Sequence, residues 1–441
     1  MQSVQSPKDH NISSFLARYN ARRDELPGAR NLREKAVKVF QDIGLPSRKT
    51  ETWKYSDLRH LYLSDFDLPT VRKVNSELLA PFILEGANII VFVDGIFSSA
   101  LSKTDGIEGR TEFQTLSNFL KAEKKRDPWY SITDIKRAGL TALNTFLMHD
   151  GMVLQIPSNV TIKNPIQVIF LNSENSSVET HLRNLITIGE NSTATIMQSY
   201  ITLGISTSFC NVVTEVTLAK GANLRQIIHQ DLGETNWNIG QTTVQLEENA
   251  HFDNFVLSSG ARKARSEICV KLNGKEANCS LKGLALVRGN QHCDNTTEVI
   301  HNTSNCRSSQ LYKNVLDNKS RTVFQGRIFV APDSQKTEAF QMSRNLLLSR
   351  GAQADSKPEL IIHADDVKCS HGAAVGDLDQ NALFYLKSRG IDPQTAHIMM
   401  VEAFVSDLME PLCDDEIKTH LEGFITSWLL NVETEKMQGV A

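Results

Sequence analysis

The spacing of apolar residues predicts two amphipathic helices near the start of the chain. Between positions 12 and 44 apolar side chains recur every three or four residues, a period typical of helices with one buried face; they are Phe15, Leu16, Tyr19, Leu32, Ala36, Val39, Phe40 and Ile43. Gly44 suits the C-terminal cap of the second helix. The polar segment 46–58 predicts an ordered loop, and the apolar run 89–93 predicts a buried strand. Residues 1–150 are therefore predicted to form an N-terminal helical and α/β region.

A repeat is visible in the middle of the chain. Ala194, Ala222, Ala250 and Ala277 each follow a polar turn and precede one polar and one apolar residue, and Cys306 continues the series more weakly. The steps between these positions are 28, 28, 27 and 29 residues. Self-similarity at such a period indicates a solenoid, in which each repeat buries its inward side chains by stacking on the next.

The segments between these turns read as strands rather than helices. Residues 212–218, for example, alternate in Val, Thr and Leu with no helical period. A mainly β fold follows, with a β-solenoid predicted as one continuous core over residues 151–376. A β-sandwich whose turns are regular by chance is the alternative.

Helical spacing returns after Gly376 and predicts a C-terminal helical domain over residues 377–441. A short helix ends at Gly390, and Asp392 followed by Pro393 is the pattern of a capped helix start. The last two helices have broad stripes of Met, Phe and other apolar residues, which predict core packing and also a docking surface for a partner. Because turns of a solenoid contact mainly their neighbours, deletion of residues 392–441 is expected to leave the β-core folded.

Composition and charge exclude several functions. The chain is 40% hydrophobic and 22% charged with a net charge of -4, which gives no electrostatic basis for binding nucleic acid or an anionic membrane. No apolar run approaches the ~18 residues of a membrane span, and the first residues lack the features of a signal peptide. A cytoplasmic protein is predicted, with plastid origin left open. Seven cysteines without regular spacing predict reduced thiols.

The segment 361–373 is the strongest candidate for a metal site. It brings a thiol and two imidazoles together with two carboxylates, and its core is Lys-Cys-Ser-His-Gly-Ala at 368–373. Cys369 and His371 are two residues apart, so on a strand they share one face, about 7 Å apart at ~3.3 Å per residue. Two ligands make half of a metal site, which a partner chain could complete. The alternative is a small buried cysteine beside a hydrogen-bonded histidine.

The common catalytic motifs are absent from the sequence. It contains no P-loop, G-x-G-x-x-G, G-x-S-x-G or H-E-x-x-H pattern. Cys369 and His371 could form a nucleophile pair only with a third orienting group and an oxyanion hole, which the sequence does not mark. Five further side chains are interpreted as structural because nothing places them together: His229, His251, His292, His301 and Cys293.

The chain resembles the SufB/SufD family of the SUF iron–sulfur cluster assembly system over nearly its whole length. Residues 357–373 and 383–391 carry the most specific part of the resemblance. The Thr-Trp-Lys-Tyr segment at 52–55 and the chain length are more similar to the SufD branch than to SufB. The resemblance implies a right-handed parallel β-helix flanked by helical domains. It also implies a complex with SufB and two copies of the ATPase SufC, which contacts the C-terminal helical domain.

The resemblance also gives His371 and Cys369 a specific role. It implies that His371 lies at the SufB–SufD interface and acts in assembly of the nascent cluster, with Cys369 at a neighbouring position. The cluster would be transient and shared with SufB. The family's link to reduced flavin has no binding signature in this sequence.

Two functions therefore remain to be separated. The first is a non-catalytic scaffold subunit without its own ATPase motif. The second is a β-solenoid enzyme acting on a polysaccharide, which predicts secretion, a carboxylate or arginine cluster along one solenoid face, and long substrate loops.

Overall fold

A computed structural model describes residues 7–62, 66–107, 111–122, 132–136, 138–410 and 414–438. The helices are α1 Pro7–Arg22, α2 Arg30–Ile43, α3 Arg59–Tyr62, α4 Leu116–Ala122, α5 Gly139–Leu147, α6 Gln380–Ser388, α7 Pro393–Met409 and α8 Asp415–Gln438. Short 3₁₀ turns lie at Glu51–Trp53 and Ser76–Phe82. The described chain is mainly β, and the predicted fold class is confirmed.

The strands form a parallel solenoid of about eight turns. They are β1 Asn88–Val93, β2 Ile96–Phe97, β3 Glu112–Thr115, β4 Met152–Ile156, β5 Ile166–Asn172, β6 Glu179–Ile188, β7 Thr193–Thr202, β8 Phe209–Leu218, β9 Asn223–Leu232, β10 Trp237–Leu246, β11 His251–Gly260, β12 Lys263–Leu272, β13 Asn278–Val287, β14 His292–His301, β15 Arg307–Leu316, β16 Arg321–Val330, β17 Glu338–Leu347, β18 Gln353–Ile362 and β19 Lys368–Asp377. From β4 onwards each strand pairs in parallel with the strand two places later, so even and odd strands form two sheets. A nine-stranded sheet therefore faces a ten-stranded sheet.

Three strands from the N-terminal region extend these sheets, β1 and β2 on one and β3 on the other. The six residues of β1 are all buried, and β1 pairs in parallel with β5. β3 pairs antiparallel with β4 on the other sheet. The strand predicted at 89–93 thus exists but belongs to the solenoid, since a buried strand needs ladder partners on its edges.

The repeat originates at one corner of each turn. Gly221, Asn249 and Asn305 have positive φ angles of 66°, 55° and 62°, which Gly and Asn adopt at low cost. The next residue is small and faces the interior. Ala222 and Ala250 are examples, and neither has any exposed surface. A small residue fits at these corners because the chain turns inward between the two sheets.

The first step of the predicted repeat is wrong by two residues. The strand register pairs Ala194 with Leu224, and the position equivalent to Ala222 is Ser192. Ala194 matches the alanine pattern only by coincidence, because it lies two residues after the equivalent position. Two further turns, at Thr337 and Val367, escaped detection because neither residue is alanine.

Helices cover the outward faces of both sheets. α1, α2 and α5 pack on the nine-stranded sheet through a cluster that includes Phe15, Phe40 and Phe146. α7 and α8 pack on the ten-stranded sheet; Val405 and Leu421 belong to a cluster with strand residues from β7 to β17. These contacts argue against the expectation that the β-core stays folded after deletion of residues 392–441. The deletion would expose an apolar face of the ten-stranded sheet.

Segment 46–58, predicted as an ordered loop, makes hydrogen bonds, an ion pair and a cation–π contact with four strands of the nine-stranded sheet. The Arg265 guanidinium on β12 lies 4.1 Å from the centre of the Trp53 ring and donates to the Thr52 carbonyl at 2.9 Å. Ser56 is 2.9 Å from His292 Nε2 on β14. Gln325 on β16 also donates to the Thr52 carbonyl at 3.0 Å, and Lys357 on β18 pairs with Glu51. This segment therefore stabilises the last turns of the solenoid from outside.

A histidine beneath α8 predicts a loss of stability in acid. His229 on β9 is fully buried, its ring lies 4.2 Å from that of Phe424, and neither ring nitrogen has a hydrogen-bond partner among the described residues. Burial lowers the pKa of His229 from 6.5 to about 3. Below pH 6.5 His229 therefore binds a proton in the unfolded chain but stays neutral in the folded chain. This difference removes about 2 kcal/mol of stability between pH 7 and pH 5.

Urea unfolding at pH 7 and pH 5 tests this expectation. His229→Phe should flatten the pH dependence by that amount, since phenylalanine fills the site without titrating. His251→Phe is the control, because His251 is exposed. Equal pH dependence in wild type and His229→Phe would show that His229 does not contribute.

Candidate functional site

Cys369 and His371 lie on β19, at the open end of the solenoid. β19 pairs only with β17, and β18 pairs only with β16, so both strands are sheet edges in the described structure. Eight of the ten β19 residues are exposed, and Cys369 and Gly372 are half-buried. An open strand edge presents unpaired backbone groups to which another chain can bind.

Both candidate side chains belong to the inward face of the last turn. Cys369 is in register with Ala339 and His371 with Gln341, and both of these β17 residues are buried inside the solenoid. No described turn follows β19, so the layer occupied by Cys369 and His371 is open. Cys369 packs against a small apolar cluster that includes Val330. His371 is exposed.

Burial changes the acidity of the Cys369 thiol. Partial burial raises the pKa of the Cys369 thiol, although a hydrogen bond from the Ala339 backbone opposes this. The thiolate is the form that binds metal, so Cys369 has to lose a proton on binding. In the described part of the chain no three metal-ligating side chains cluster. Within the described residues, Cys369 and His371 are therefore two candidate donors without a third beside them.

A polar layer lies beneath this pair, and the sequence reasoning missed it. Gln341 is buried, and both ends of its amide are without hydrogen-bond partners in the described structure. The Ser343 and Ser356 hydroxyls are 3.2 Å apart, and Asn345 donates to the Ala374 carbonyl at 3.1 Å. The signal was present, because alternate positions 341, 343 and 345 are polar where inward strand positions are usually apolar.

The structure places the other candidate residues away from the pair. The Nε2 atom of His301 contacts the Ser308 hydroxyl at 2.9 Å, and His292 contacts Ser56. Burial raises the pKa of Cys293 to about 12, which leaves an inert thiol. His229 lies under α8, and His251 is exposed. The structure brings none of them together with Cys369 and His371.

A second candidate surface lies on the C-terminal helices. Phe384 and Tyr385 on α6 are 73% and 56% exposed, and Met399 on α7 and Leu430 on α8 are also exposed. Asp379 caps α6 and Asp392 caps α7, as the sequence predicts for Asp392. Phe384 and Tyr385 are adjacent in the chain, and large apolar side chains exposed side by side are typical of a protein contact. None of the helices in the described ranges combines the length and the hydropathy that a bilayer span needs.

Comparison with known proteins agrees with this architecture. Residues 169–404 match a family described as "SUF system FeS cluster assembly, SufBD core domain", and residues 17–168 match the SufBD protein N-terminal region. The iron–sulfur cluster assembly protein SufD of Escherichia coli is 30% identical, with 85% of this chain and 87% of that protein covered.

Two further relatives cover similar shares of the chain. An iron–sulfur cluster assembly SufBD family protein of Synechocystis is 28% identical, with 87% of each chain covered. The SufD protein of Bacillus subtilis is 24% identical, with 93% of this chain and 96% of that protein covered. The family models and these relatives span both the N-terminal region and the solenoid, and we conclude that this chain belongs to the SufBD family of iron–sulfur cluster assembly proteins.

Proposed function

We propose that this chain is a non-catalytic scaffold subunit of the SUF complex, on which a nascent iron–sulfur cluster is assembled in the cytoplasm. The open end of the solenoid carries the proposal, because it presents Cys369 and His371 beside two free strand edges. A cluster generally takes four protein ligands, so a second subunit has to supply the rest. The SUF system named by the matching family model supports SufB as that subunit.

The cluster is cargo held between the two subunits and then passed on. Cys369 would bind iron as a thiolate after losing its proton, and His371 would bind iron or accept a proton through its imidazole. Both roles need solvent access before SufB binds. The exposure of the β19 face provides that access.

Family membership favours this function over a polysaccharide-active solenoid enzyme. That enzyme would need a free carboxylate or arginine cluster along one solenoid face. On the nine-stranded sheet, charged side chains of the described structure are largely paired, as Arg265 is with Asp294 and Arg327 with Glu359. Such pairs fit a structural surface better than a catalytic groove.

The SufC contact is proposed for the C-terminal helical region, residues 377–441. One side of α7 and α8 is already packed on the ten-stranded sheet, so the contact has to use side chains that face outward. Phe384 and Tyr385 on α6 are the largest exposed aromatic residues there. Aromatic side chains of this kind commonly dominate the energy of protein interfaces.

Co-purification tests the complex and the SufC surface together. When tagged SufB, SufC and this chain are produced in one cell, all three are expected to purify together. Phe384→Asp with Tyr385→Asp should weaken SufC binding by at least about 30-fold, the effect of losing roughly 2 kcal/mol at an interface. SufB should remain bound.

Val71→Asp is the matched control, because Val71 is an apolar residue 82% exposed in the N-terminal region. Full SufC binding by the α6 variant would move the contact elsewhere. Failure of SufB to bind the wild-type chain would refute the scaffold proposal.

A further inference from the structure

A column of three residues in register leads from the interior of the solenoid to the candidate site. Gln310 on β15, Gln341 on β17 and His371 on β19 occupy equivalent positions in successive turns. Both glutamines are buried, each with 3% of its surface exposed. Adjacent strands of a sheet lie about 4.8 Å apart, so the Gln341 side chain belongs to the layer directly beneath His371.

The two glutamines differ in what faces them across the core. The Thr297 hydroxyl on β14 donates to the Gln310 carboxamide oxygen at 2.6 Å. One turn later the residue in register with Thr297 is Gly326, which has no side chain to donate. The Gln341 carboxamide fills the space beside Gly326, where an added Cβ would clash with Gln341 Nε2. Neither the oxygen nor the nitrogen of this carboxamide has a hydrogen-bond partner in the described structure.

The unpaired carboxamide of Gln341 contrasts with the other inward polar residues of β17. The Ser343 hydroxyl lies 3.2 Å from that of Ser356, and Asn345 donates to the Ala374 carbonyl at 3.1 Å. A buried amide without partners destabilises the folded chain, and an apolar side chain of similar size avoids that cost. An unpaired amide one strand from a candidate ligand therefore points to a hydrogen bond that forms when the site is in use.

We propose that Gln341 is a positioning residue of the candidate site, whose carboxamide oxygen accepts a hydrogen bond from the ring nitrogen of His371 that does not bind iron. This inference rests on the proposed function, because it needs His371 as a ligand. A histidine that binds metal almost always donates its other ring N–H to a neighbouring acceptor, which fixes the tautomer and the orientation of the ring. Gln341 lies one strand away and has that acceptor free.

Gln341→Met tests the inference, because methionine fills a similar volume without an acceptor. Iron and sulfide are added to the complex of SufB, SufC and each full-length variant, and the visible absorption of the cluster is followed. We expect the cluster yield to fall about tenfold, the lower end of the usual effect of losing such a hydrogen bond. The subunits should stay together. The midpoint of urea unfolding of the free chain should equal or exceed that of wild type, because no hydrogen bond is lost there.

Three further variants show whether Gln341 acts through His371. In a His371→Ala background, Gln341→Met should cause no additional loss of cluster, since the two residues act as a unit. Gln341→Glu keeps an acceptor in place and should retain most of the wild-type yield, although its buried carboxylate lowers the urea midpoint. Gln310→Met is the matched control, because it makes the same change one turn deeper in the column, and its complex should give the wild-type yield.

The outcomes separate this inference from the proposed function. If His371→Ala lowers the yield but Gln341→Met does not, or if Gln310→Met lowers it equally, the inference is wrong and the scaffold function stands. A lower urea midpoint for Gln341→Met, or a further loss in the His371→Ala background, makes the role of Gln341 structural and also overturns the inference. Wild-type yield from His371→Ala overturns the site itself, and the inference with it.

Discussion

His371→Ala is expected to reduce cluster formation on the assembled complex at least tenfold without dissociating its subunits. The imidazole is exposed on β19, so its removal takes away little buried area while it deletes a ligand or a proton carrier. Iron and sulfide are added to the purified complex, and the visible absorption of the cluster is followed with time. Subunit composition is measured on the same sample.

Two variants on the same strand separate the possible roles. Ser370→Ala changes an exposed neighbour on the opposite face of β19 and should leave cluster yield unchanged. Cys369→Ser should have a milder effect than His371→Ala if the thiol mainly packs against its apolar neighbours, and an equal effect if it binds iron. Wild-type yield from an intact His371→Ala complex would remove His371 from the mechanism. A His371→Ala complex that fails to assemble would make its role structural.

Arg183→Met is expected to destabilise the fold by about 3–5 kcal/mol, the usual cost of leaving a buried charge without its partner. Arg183 on β6 is fully buried, pairs with Glu215 on β8, and donates to the Thr145 hydroxyl of α5 at 3.0 Å. The second Glu215 oxygen has no partner among the described residues. Burial raises the pKa of Glu215, and Arg183 opposes that rise.

Urea unfolding distinguishes a buried pair from simple packing. Arg183→Met with Glu215→Leu should recover most of the lost stability, because no uncompensated charge remains. The deficit of the single variant relative to wild type should shrink as the pH falls, because protonation of Glu215 removes the charge. Arg344→Met, at an exposed arginine, is the control. A single-variant loss within about 0.5 kcal/mol of that control would contradict this account.

The solenoid was predictable because its corners repeat a local requirement. A left-handed residue followed by a small inward residue recurs at several successive corners, and Asn249 with Ala250 shows it in the sequence alone. Where the corner uses Lys336 and Thr337, the same geometry is met by residues that give no compositional signal. The sequence therefore predicts the presence of a solenoid more readily than it predicts the number of turns.

The shared face of Cys369 and His371 was predictable because the two residues lie close together in the chain. Two-residue spacing on a strand places Cys369 and His371 on one face whatever the tertiary fold. Their position at an open edge depends on which strand is last. The fastening of segment 46–58 depends on Arg265, more than 200 residues away in the chain, so periodicity and motif spacing could not predict it.

The two open edges also affect how the protein behaves when its partner is scarce. On the proposed function, a chain without SufB exposes two ten-residue strands, and an unpaired edge can template pairing with any other exposed strand. Pro358 protects β18 in its middle, but β19 has no such interruption. Orphan copies should therefore be lost to aggregation or proteolysis first. The amount of usable scaffold in a cell would then follow the supply of its partner rather than its own rate of synthesis.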